Sequence, residues 1–545
     1  MPQTAEPQRF WTVGRLAMAA GAGAWLAVVL TLDGPGLTID EPLDVRPGRT
    51  YVATLLARGW GFFDRKIVDS VFADNAEHPP LGRWLLGLAS TLGEPFEVVL
   101  LGGPDPVGLY VVAARLAPAS AFAILVGLVV LASGRRYGRA AGVVAGFALA
   151  AMPRVFAHAH LGALDTFLIL FWTLSLLRAE RALEGPRPVR GMAGAGVSWA
   201  LALLTKIHAW FLPPILLVWA LARVGPRKAV APLLAWSAVG LTFYVLGWPW
   251  LWYDLAGRLT RYLGTGVVRV PIRVQYFGQV YADRDVPWHY PWFYFAVTVP
   301  VGLHLLGAWG VVRGWRDRRV DPFPLLLAGS IALFLVVFST RVPVYDGERL
   351  FLVVFPLWAI LIGRGFAAAW DWARERPALR LGLLAAVLAQ GYGVMTFHPF
   401  GLSYYNALVG GLPGAERMGL ELTYWGDTVD GVLLDRLAHE ATPDATAALV
   451  PTLYPGQGTL TTSRAMIRVP VILSDEHAAT TSDWVVVSRR TAYWKPEWRR
   501  RLVHGRLVSL RSRQGVWLSA LWEFPKRPPP SSRPSNNPYN LFRRD

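Results

Sequence analysis

The sequence predicts an all-α polytopic membrane protein of about eleven transmembrane helices, followed by a small extracytoplasmic α/β domain. Of its 545 residues, 53% are hydrophobic and only 17% are charged, and the mean hydropathy is +0.35. Mainly apolar stretches of about 18 or more residues recur, and a bilayer needs about 20 residues for each spanning helix. After residue 397, short β-rich runs at 446–450, 466–473, 483–488 and 515–524 alternate with polar or turn-rich segments.

The predicted spans begin with residues 13–32. We interpret this segment as an uncleaved helix rather than a signal peptide, because its apolar run is long for a signal sequence. The other predicted spans are 107–132, 140–157, 161–177, 192–206, 208–222, 230–250, 291–312, 322–340, 346–363 and 381–397. The predicted domains are a transmembrane domain over 1–396, the α/β domain over 397–525, and a disordered tail over 526–545, which is rich in Pro, Ser, Asn and Arg.

The distribution of positive charge predicts the orientation. Basic residues concentrate in every second loop, and the alternate loops are poor in them or are long. The basic loops contain Arg135 and Arg136, Arg178 and Arg181, Arg223 and Arg227, Arg313 and Arg316, and Arg374 and Arg376. The positive-inside rule therefore places the N-terminus in the cytoplasm, and the loop 33–106 and the C-terminus outside. Topology thus explains the net charge of +17 better than nucleic-acid binding does.

The amino-acid composition limits the possible cellular compartments and the possible cofactors. The chain is rich in Ala, Arg and Gly and poor in Lys, which is typical of bacterial proteins and predicts a bacterial inner membrane with a periplasmic C-terminus. It contains no cysteine, which excludes disulfides, thiolate nucleophiles and Cys-ligated zinc. A divalent metal stays open, since carboxylates and a phosphate could share one, but no ligand set in the sequence demands it.

The external loop 33–106 carries the strongest candidates for chemistry. Asp40 and Glu41 follow the first span, and the loop later contains His78-Pro79-Pro80-Leu81-Gly82-Arg83. Carboxylates just outside the hydrocarbon can stay ionised without the cost of burial in lipid. A membrane enzyme needs its acid/base group at this depth, so we expect the active site here. His78 can also serve only to shape the turn before the two prolines.

Other charged side chains, whose placement in or near the hydrocarbon is energetically unfavourable, fall on the same predicted side of the membrane. They include Arg115, Arg154, His158, His160, Asp165, Lys206, Asp346, Glu348 and Arg349. Cations that converge with carboxylates suggest an anionic headgroup, such as the phosphate of a lipid, bound beside an acid/base pair. Structural roles stay open for some of them: Asp165 can cap a helix, Lys206 can snorkel, and the pair His158 and His160 is a weak metal signal.

Several of these features occur together in one known family. The features are Asp40-Glu41, the His78–Arg83 stretch, Arg115, Ala163-Leu164-Asp165-Thr166, Leu204-Thr205-Lys206 and Asp346-Gly347-Glu348-Arg349. In this order they resemble glycosyltransferase family 39, the GT-C group of protein O-mannosyltransferases and aminoarabinose transferases of lipid A. The likeness covers roughly residues 13–365.

The resemblance implies an inverting hexosyl or pentosyl transferase. Its donor would be a polyprenyl-phosphate sugar, with mannose or a similar sugar, and its acceptor a protein hydroxyl, lipid A or another glycan. Asp40 would be the base, and Glu41 would assist or position it. The donor phosphate would be held by Arg83, Arg115, Lys206 and Arg349. Arg83 stands where the family often has Lys, and His78 and Asp165 would support the site.

Two other functions stay open at this point. A transporter or flippase of a lipid-linked sugar would handle the same lipid, but transporters place polar residues at the midplane and often show internal repeats. An O-antigen ligase or polymerase would use the same class of donor, but without an acidic pair after the first span. The charged residues of this chain lie at the predicted outer edge of the membrane rather than at its midplane, which favours the transferase.

Overall fold

The computed structural model describes residues 11–73, 78–101, 109–265, 270–464 and 472–524. Its helices are α1 Val13–Val29, α2 Asp40–Arg58, α3 Arg65–Val71, α4 Leu81–Leu101, α5 Val111–Tyr137, α6 Arg139–Ala150, α7 Pro153–His158, α8 Asp165–Leu183, α9 Pro188–Leu203, α10 Leu212–Leu246, α11 Leu255–Thr265, α12 Tyr290–Thr298, α13 Val301–Arg316, α14 Phe323–Phe338, α15 Val354–Trp372, α16 Pro377–Ala389, α17 Tyr392–Phe397, α18 Gly411–Arg417, α19 Gly431–Glu440, α20 Gln457–Arg464 and α21 Pro496–Leu502. Its strands are β1 Arg273–Tyr276, β2 Gln279–Ala282, β3 Ala447–Val450, β4 Leu473–Ser474, β5 Trp484–Ser488, β6 Arg506–Arg513 and β7 Val516–Glu523.

Each predicted span falls on a helix or on a pair of broken helices. The spans 208–222 and 230–250 lie on α10, which breaks at Gly225, where φ is 76° and Pro226 follows. The span 291–312 lies on α12 and α13, which meet at an angle of 114°. The apolar runs of the sequence located these helices, but they could not predict the angle between the two helices on either side of a break.

Several helices among the described residues are long and apolar enough to cross a membrane, which identifies the chain as a membrane protein. Those that can cross a bilayer are Val111–Tyr137, Ile207–Leu246 and Pro377–Phe397, and the bent pair α12 and α13 would add a fourth span. The other predicted spans are shorter or more polar helices. The count of eleven transmembrane helices and the orientation of the termini therefore stay predictions.

The first polar loop folds into helices that pack on the bundle. The helical spacing of apolar residues from Leu81 to Leu92 in the sequence predicts an interfacial helix over 81–92. In the structure, α4 starts at Leu81 but continues to Leu101, and it packs against both α2 and α5. A methyl group on Gly48 would lie 2.1 Å from the Arg83 carbonyl oxygen, and one on Gly87 would lie 2.1 Å from that of Gly48. The backbones of α2 and α4 thus touch, which brings the start of α4 beside the start of α2.

The C-terminal part contains the expected α/β domain. Its five-stranded sheet has the order β4-β3-β5-β7-β6, in which β4, β3 and β5 are parallel, and β7 and β6 are antiparallel to their neighbours. The predicted runs 446–450, 483–488 and 515–524 coincide with β3, β5 and β7. Most of the run 466–473 and the predicted tail 526–545 lie outside the described residues. Strand β6 was not predicted, because it is rich in arginine and only partly buried.

Candidate active site

Five charged side chains from four parts of the chain, Arg349 among them, form a mainly buried cluster. The Arg349 Nε atom lies 3.3 Å from Asp165 Oδ2, its Nη1 lies 3.1 Å from Asp346 Oδ2, and its Nη2 donates to Asp40. Asp165 also accepts a hydrogen bond of 2.6 Å from Lys206 Nζ. The Asp40 side chain is 25% exposed, whereas those of Asp165 and Asp346 are 3% and 4% exposed. The structure thus brings together four residues to which the sequence analysis assigned a role in the site, and joins to them Asp346, which it named as a candidate charge without a role.

The backbone explains how these side chains converge. Asp40 and Asp165 are the first residues of α2 and α8, where carboxylates interact favourably with the helix dipole. Lys206 follows α9 in a short turn. Asp346 and Gly347 both adopt positive φ, 57° and 65°, immediately before a 3-10 turn that begins at Arg349. This turn reverses the chain, so that Asp346 and Arg349 meet on one side of it.

The α/β domain contributes a residue that the sequence analysis missed. Arg490 follows β5, and its Nη2 donates a hydrogen bond of 3.0 Å to Asp346 Oδ1. Its Nη1 donates to the Tyr424 carbonyl, and its Nε lies 4.0 Å from Glu421 Oε1. One signal was present in the sequence: Arg490 stands at the carboxyl end of an apolar strand, where parallel sheets commonly place binding residues.

Aromatic residues of the same domain lie beside Arg349 and Asp40. The Arg349 guanidinium lies 4.0 Å from the centre of the Trp425 ring, in cation–π contact. The ring of Tyr454 is largely buried as well, and burial together with the neighbouring Asp40 carboxylate raises the pKa of its hydroxyl. The C-terminal domain therefore forms one wall of the charged cluster.

Glu41 and Arg115 form a closed ion pair. Arg115 Nε and Nη2 donate to the two oxygens of Glu41 at 2.6 and 2.7 Å, and both side chains are fully buried. The remaining Arg115 donors bond the carbonyls of Leu32, Pro35 and Gly36. All five N–H groups of Arg115 are therefore used, and in this conformation it offers no donor to a phosphate. The pair fixes the chain just before Asp40, which is consistent with the predicted positioning role of Glu41, and the phosphate-binding role of Arg115 stays a prediction.

We expect Arg115→Met to lower the free energy of unfolding by about 3–5 kcal/mol, because Glu41 would remain buried without its counter-ion. The measurement is the thermal unfolding of the purified protein in detergent. Arg46→Met, on the exposed side of α2, is the control and should leave the transition unchanged. An unchanged transition for Arg115→Met together with a loss of lipid-phosphate binding would instead support the phosphate-binding role.

Arg83 and His78 lie beside the cluster. Arg83 Nε donates 2.9 Å to Asp44 Oδ1 within the contact of α2 and α4, and burial raises the pKa of Asp44 to about 6 although Arg83 opposes this. Burial and then the cations Arg83, Lys206 and Arg349 hold the pKa of His78 well below its usual range. His78 is therefore neutral at pH 7 and can accept a proton only with difficulty.

The two histidines at 158 and 160 do not form a pair. His160 Nε2 lies 2.9 Å from Thr31 Oγ1 and its Nδ1 lies 2.9 Å from the Phe156 carbonyl, whereas the His158 ring packs 5.2 Å from that of Trp425. Within the described part of the chain, no group of three or more His, Asp or Glu side chains has a geometry that could hold a metal ion. The weak metal signal in the sequence is thus not supported.

Glu421 is a buried carboxyl group near Arg490. Burial raises its pKa to about 8, with Arg490 opposing the shift, and burial likewise raises the pKa of Asp427 to about 7. The folded state therefore holds the Glu421 proton up to about pH 8, whereas the ordinary pKa is 4.5. Because the folded chain binds this proton more tightly than the unfolded chain, the contribution of Glu421 to stability is fully present below pH 4.5 and is lost as the pH rises to 8.

We expect Glu421→Gln to remove this part of the pH dependence. At 1.36 kcal/mol per pKa unit, the gain in stability over the natural chain above pH 8 should be about 2–5 kcal/mol. Thermal unfolding between pH 5 and 8.5 measures it. The exposed Glu497→Gln is the control. A constant difference between Glu421→Gln and the natural chain at every pH would contradict the raised pKa.

Comparison with known proteins gives one family match and one clear fold match. Residues 107–253 match the family described as dolichyl-phosphate-mannose-protein mannosyltransferase. The crystal structure of ArnT from Cupriavidus metallidurans in the apo state has a TM-score of 0.51 and 18% identity, over 93% of this chain and 97% of that chain. The same protein bound to undecaprenyl phosphate gives 0.50 and 17%, with the same coverage. No curated protein sequence matches the chain. The chain therefore has the GT-C fold of ArnT, and the family match confirms its resemblance to glycosyltransferase family 39.

Proposed function

We propose that the protein is an inverting glycosyltransferase that moves a sugar from a polyprenyl-phosphate donor to a hydroxyl group of an acceptor, with Asp40 as the base. The observation that carries the proposal is the partly exposed Asp40 carboxylate at the edge of the buried cluster around Arg349. The match to the mannosyltransferase family and the fold shared with ArnT, which was crystallised with undecaprenyl phosphate, support this choice of donor. Neither comparison favours the transport alternative.

The charges of the cluster suit this reaction. Lys206, Arg349 and Arg490 balance the carboxylates at positions 40, 165 and 346. The donor is a phosphodiester with one negative charge, and it leaves as a phosphate monoester with two. The acceptor oxygen attacks the anomeric carbon, its proton moves to Asp40, and the bond from that carbon to the phosphate oxygen breaks. One carboxylate is neutralised as one phosphate charge appears, so the net charge of the site stays constant.

The cations stabilise the departing phosphate. Lys206 and Arg349 are held by Asp165 in fixed positions, so that little reorganisation is needed when negative charge develops nearby. Arg83 lies close to them at the start of α4 and is part of the proposed phosphate site. Glu41 and Arg115 position the segment that leads to Asp40. His78 and Asp165 support the cluster.

The proposal also includes the more specific predictions made from the sequence. They are a bacterial inner membrane, a cytoplasmic N-terminus, a catalytic domain up to residue 396, and mannose or a similar hexose or pentose as the sugar. The acceptor would be a protein hydroxyl, lipid A or another glycan on the side of the membrane that the C-terminal domain faces. Transfer to protein would make the chain part of protein glycosylation.

A transfer assay tests the proposal. The purified protein in liposomes is given radiolabelled undecaprenyl-phosphate mannose or undecaprenyl-phosphate aminoarabinose, with membrane extract as the source of acceptors. We expect label to pass from the donor to protein, lipid or glycan. Movement of intact donor across the bilayer without transfer would overturn the proposal in favour of transport. No transfer from either donor, with undecaprenyl phosphate failing to bind, would contradict the donor class.

A further inference from the structure

The turn that leads into Arg349, residues 346–348, belongs to no helix or strand. Asp346 and Gly347 adopt positive φ, and the hydrogen bond that closes the turn, from the Arg349 N–H to the Asp346 carbonyl, is 3.3 Å long. By contrast, two of the carboxylates that Arg349 contacts, Asp40 and Asp165, are the first residues of helices. The position of Arg349 therefore depends on the contacts that other parts of the chain make with the 346–348 turn.

Two of these contacts come from the α/β domain and from α12. Asp346 accepts the hydrogen bond of 3.0 Å from Arg490 Nη2 that is described above. The Gly347 N–H donates a hydrogen bond of 2.9 Å to the hydroxyl of Tyr290, the first residue of α12, and the Tyr290 side chain is fully buried. Two consecutive residues of the turn are thus bonded to two different elements.

The third contact is a buried ion pair between Glu348 and Arg154 of α7. Arg154 Nη1 donates 2.8 Å to Glu348 Oε2, and the two side chains are 2% and 0% exposed. The Arg154 Nε also donates 2.9 Å to the Tyr404 carbonyl, and its guanidinium lies 4.6 Å from the centre of the Tyr405 ring. A methyl group on Gly347 would lie 2.7 Å from Arg154 Nη1, so the ion pair packs directly on the turn.

Stability alone does not account for this ion pair. The desolvation of two buried charges is costly, and replacing a buried pair by apolar side chains of similar volume is often neutral or stabilising. The reaction proposed above gives neither Arg154 nor Glu348 a part in the chemistry. What the pair does supply is position, because it fixes the residue that directly precedes Arg349.

We propose that Arg154, Glu348 and Tyr290 are positioning residues, which hold the 346–348 turn so that the Arg349 guanidinium meets Asp40 in the orientation that transfer needs. The effect on transfer rests on the proposed transferase function, whereas the fixing of the turn is a separate property. Arg349 donates to three carboxylates in three directions, so a small displacement of the turn would disturb all three contacts. A misplacement of about 1 Å can lower a rate about 10²-fold.

Two variants loosen the turn without leaving a buried charge unpaired. Tyr290→Phe removes only the hydroxyl that accepts from Gly347. The double variant Arg154→Met/Glu348→Leu replaces both charges by apolar side chains, a change that often preserves stability. Because the two variants act on different contacts of the same turn, a failure of one to fold leaves the other to decide.

The matched controls make the same substitutions away from the turn. Tyr392→Phe alters an exposed tyrosine of α17. Arg223→Met/Glu184→Leu removes a partly exposed ion pair that lies just beyond the end of α8 opposite to Asp165. Both controls should behave as the natural chain does in every measurement.

Three properties are measured for the full-length protein in detergent. They are the single-turnover rate constant of sugar transfer with saturating donor, the dissociation constant of undecaprenyl phosphate, and the hydrogen–deuterium exchange of the backbone over residues 340–353 by mass spectrometry. The exchange is measured without donor or acceptor, so it tests the fixing of the turn independently of the proposed function.

We expect the rate constant of transfer to fall at least about tenfold in Tyr290→Phe and at least about 10²-fold in Arg154→Met/Glu348→Leu. The acid limb of the pH–rate profile should move to higher pH, because a base that has lost its aligned cation binds its proton more tightly. The dissociation constant of undecaprenyl phosphate should stay within about threefold, since Arg349 keeps its charge. Exchange of the 346–348 turn should become at least about tenfold faster in both variants.

A merely structural role would lower the fraction of folded protein, but it would leave the rate constant and the pH profile of the folded fraction unchanged. That result, or exchange of the turn at the rate seen in the controls, would overturn the inference. A fall in transfer explained wholly by weaker binding of undecaprenyl phosphate would also overturn it. If the natural chain transfers no sugar, the proposed function fails together with the effect on transfer, whereas faster exchange in the variants would still support the fixing of the turn.

Discussion

Asp40→Asn is expected to lower the rate of sugar transfer by about 10²–10⁴-fold, the range that a positioned general base contributes. The substitution keeps the shape of the side chain but removes its ability to accept the proton of the attacking hydroxyl. It also removes one negative charge next to Arg349, so the affinity for undecaprenyl phosphate should stay the same or increase. A single-turnover assay with saturating donor measures the chemical step separately from binding.

The matched control is Asp64→Asn. Asp64 is an exposed carboxylate of the same polar loop that makes no capping hydrogen bond with its side chain. It should transfer sugar at the natural rate. If Asp40→Asn transfers as fast as Asp64→Asn, Asp40 is not the base. If Asp40→Asn is inactive because it no longer binds undecaprenyl phosphate, the carboxylate organises Arg349 rather than accepting a proton.

Hydropathy located the helices because membrane helices are long apolar runs, but it could not fix which of them break. The break at Gly225 lies in the basic loop that the sequence predicts between the spans 208–222 and 230–250, whereas the 114° turn between α12 and α13 depends on packing. The length of α4 was underestimated because Glu94 and Pro95 interrupt its apolar pattern. Tertiary contacts hold the helix at and beyond these residues: Glu94 accepts a hydrogen bond of 2.7 Å from Arg49, and Glu97 accepts one of 2.7 Å from the backbone N–H of Ala113.

The candidate site could be predicted in part, for a similar reason. Charged side chains at helix ends near a membrane carry a desolvation cost and commonly have a function. This rule identified Asp40, Asp165, Lys206 and Arg349. Glu41 and Arg115 were chosen by the same rule, but that rule does not tell a closed ion pair from a binding site. Their pairing joins residues 74 positions apart, and only the folded backbone shows that every donor is used. Arg490 was missed because it lies in the C-terminal α/β domain, outside the predicted spans and the loop 33–106 to which this rule applies.

Arg349 is the residue whose removal should have the widest effect. It contacts three carboxylates from three parts of the chain, and Arg349→Gln would leave Asp165 and Asp346 buried with one cation fewer between them. We expect transfer to fall at least about 10³-fold, which exceeds the loss expected for one oxyanion donor because binding and alignment of the base fail together. Undecaprenyl phosphate should bind at least about tenfold more weakly, since one charge-assisted contact is worth about 1.5–3 kcal/mol.

Arg349→Lys separates charge from geometry. A lysine restores the positive charge but presents it at a single point, whereas the guanidinium donates in three directions at once. We therefore expect undecaprenyl phosphate affinity to recover in Arg349→Lys while transfer remains at least about tenfold low, since Asp40 would no longer be aligned. The exposed Arg341→Gln is the control for loss of a nearby cation. Full transfer by Arg349→Lys would show that charge alone matters here, and that the contacts to the three carboxylates do not position the base.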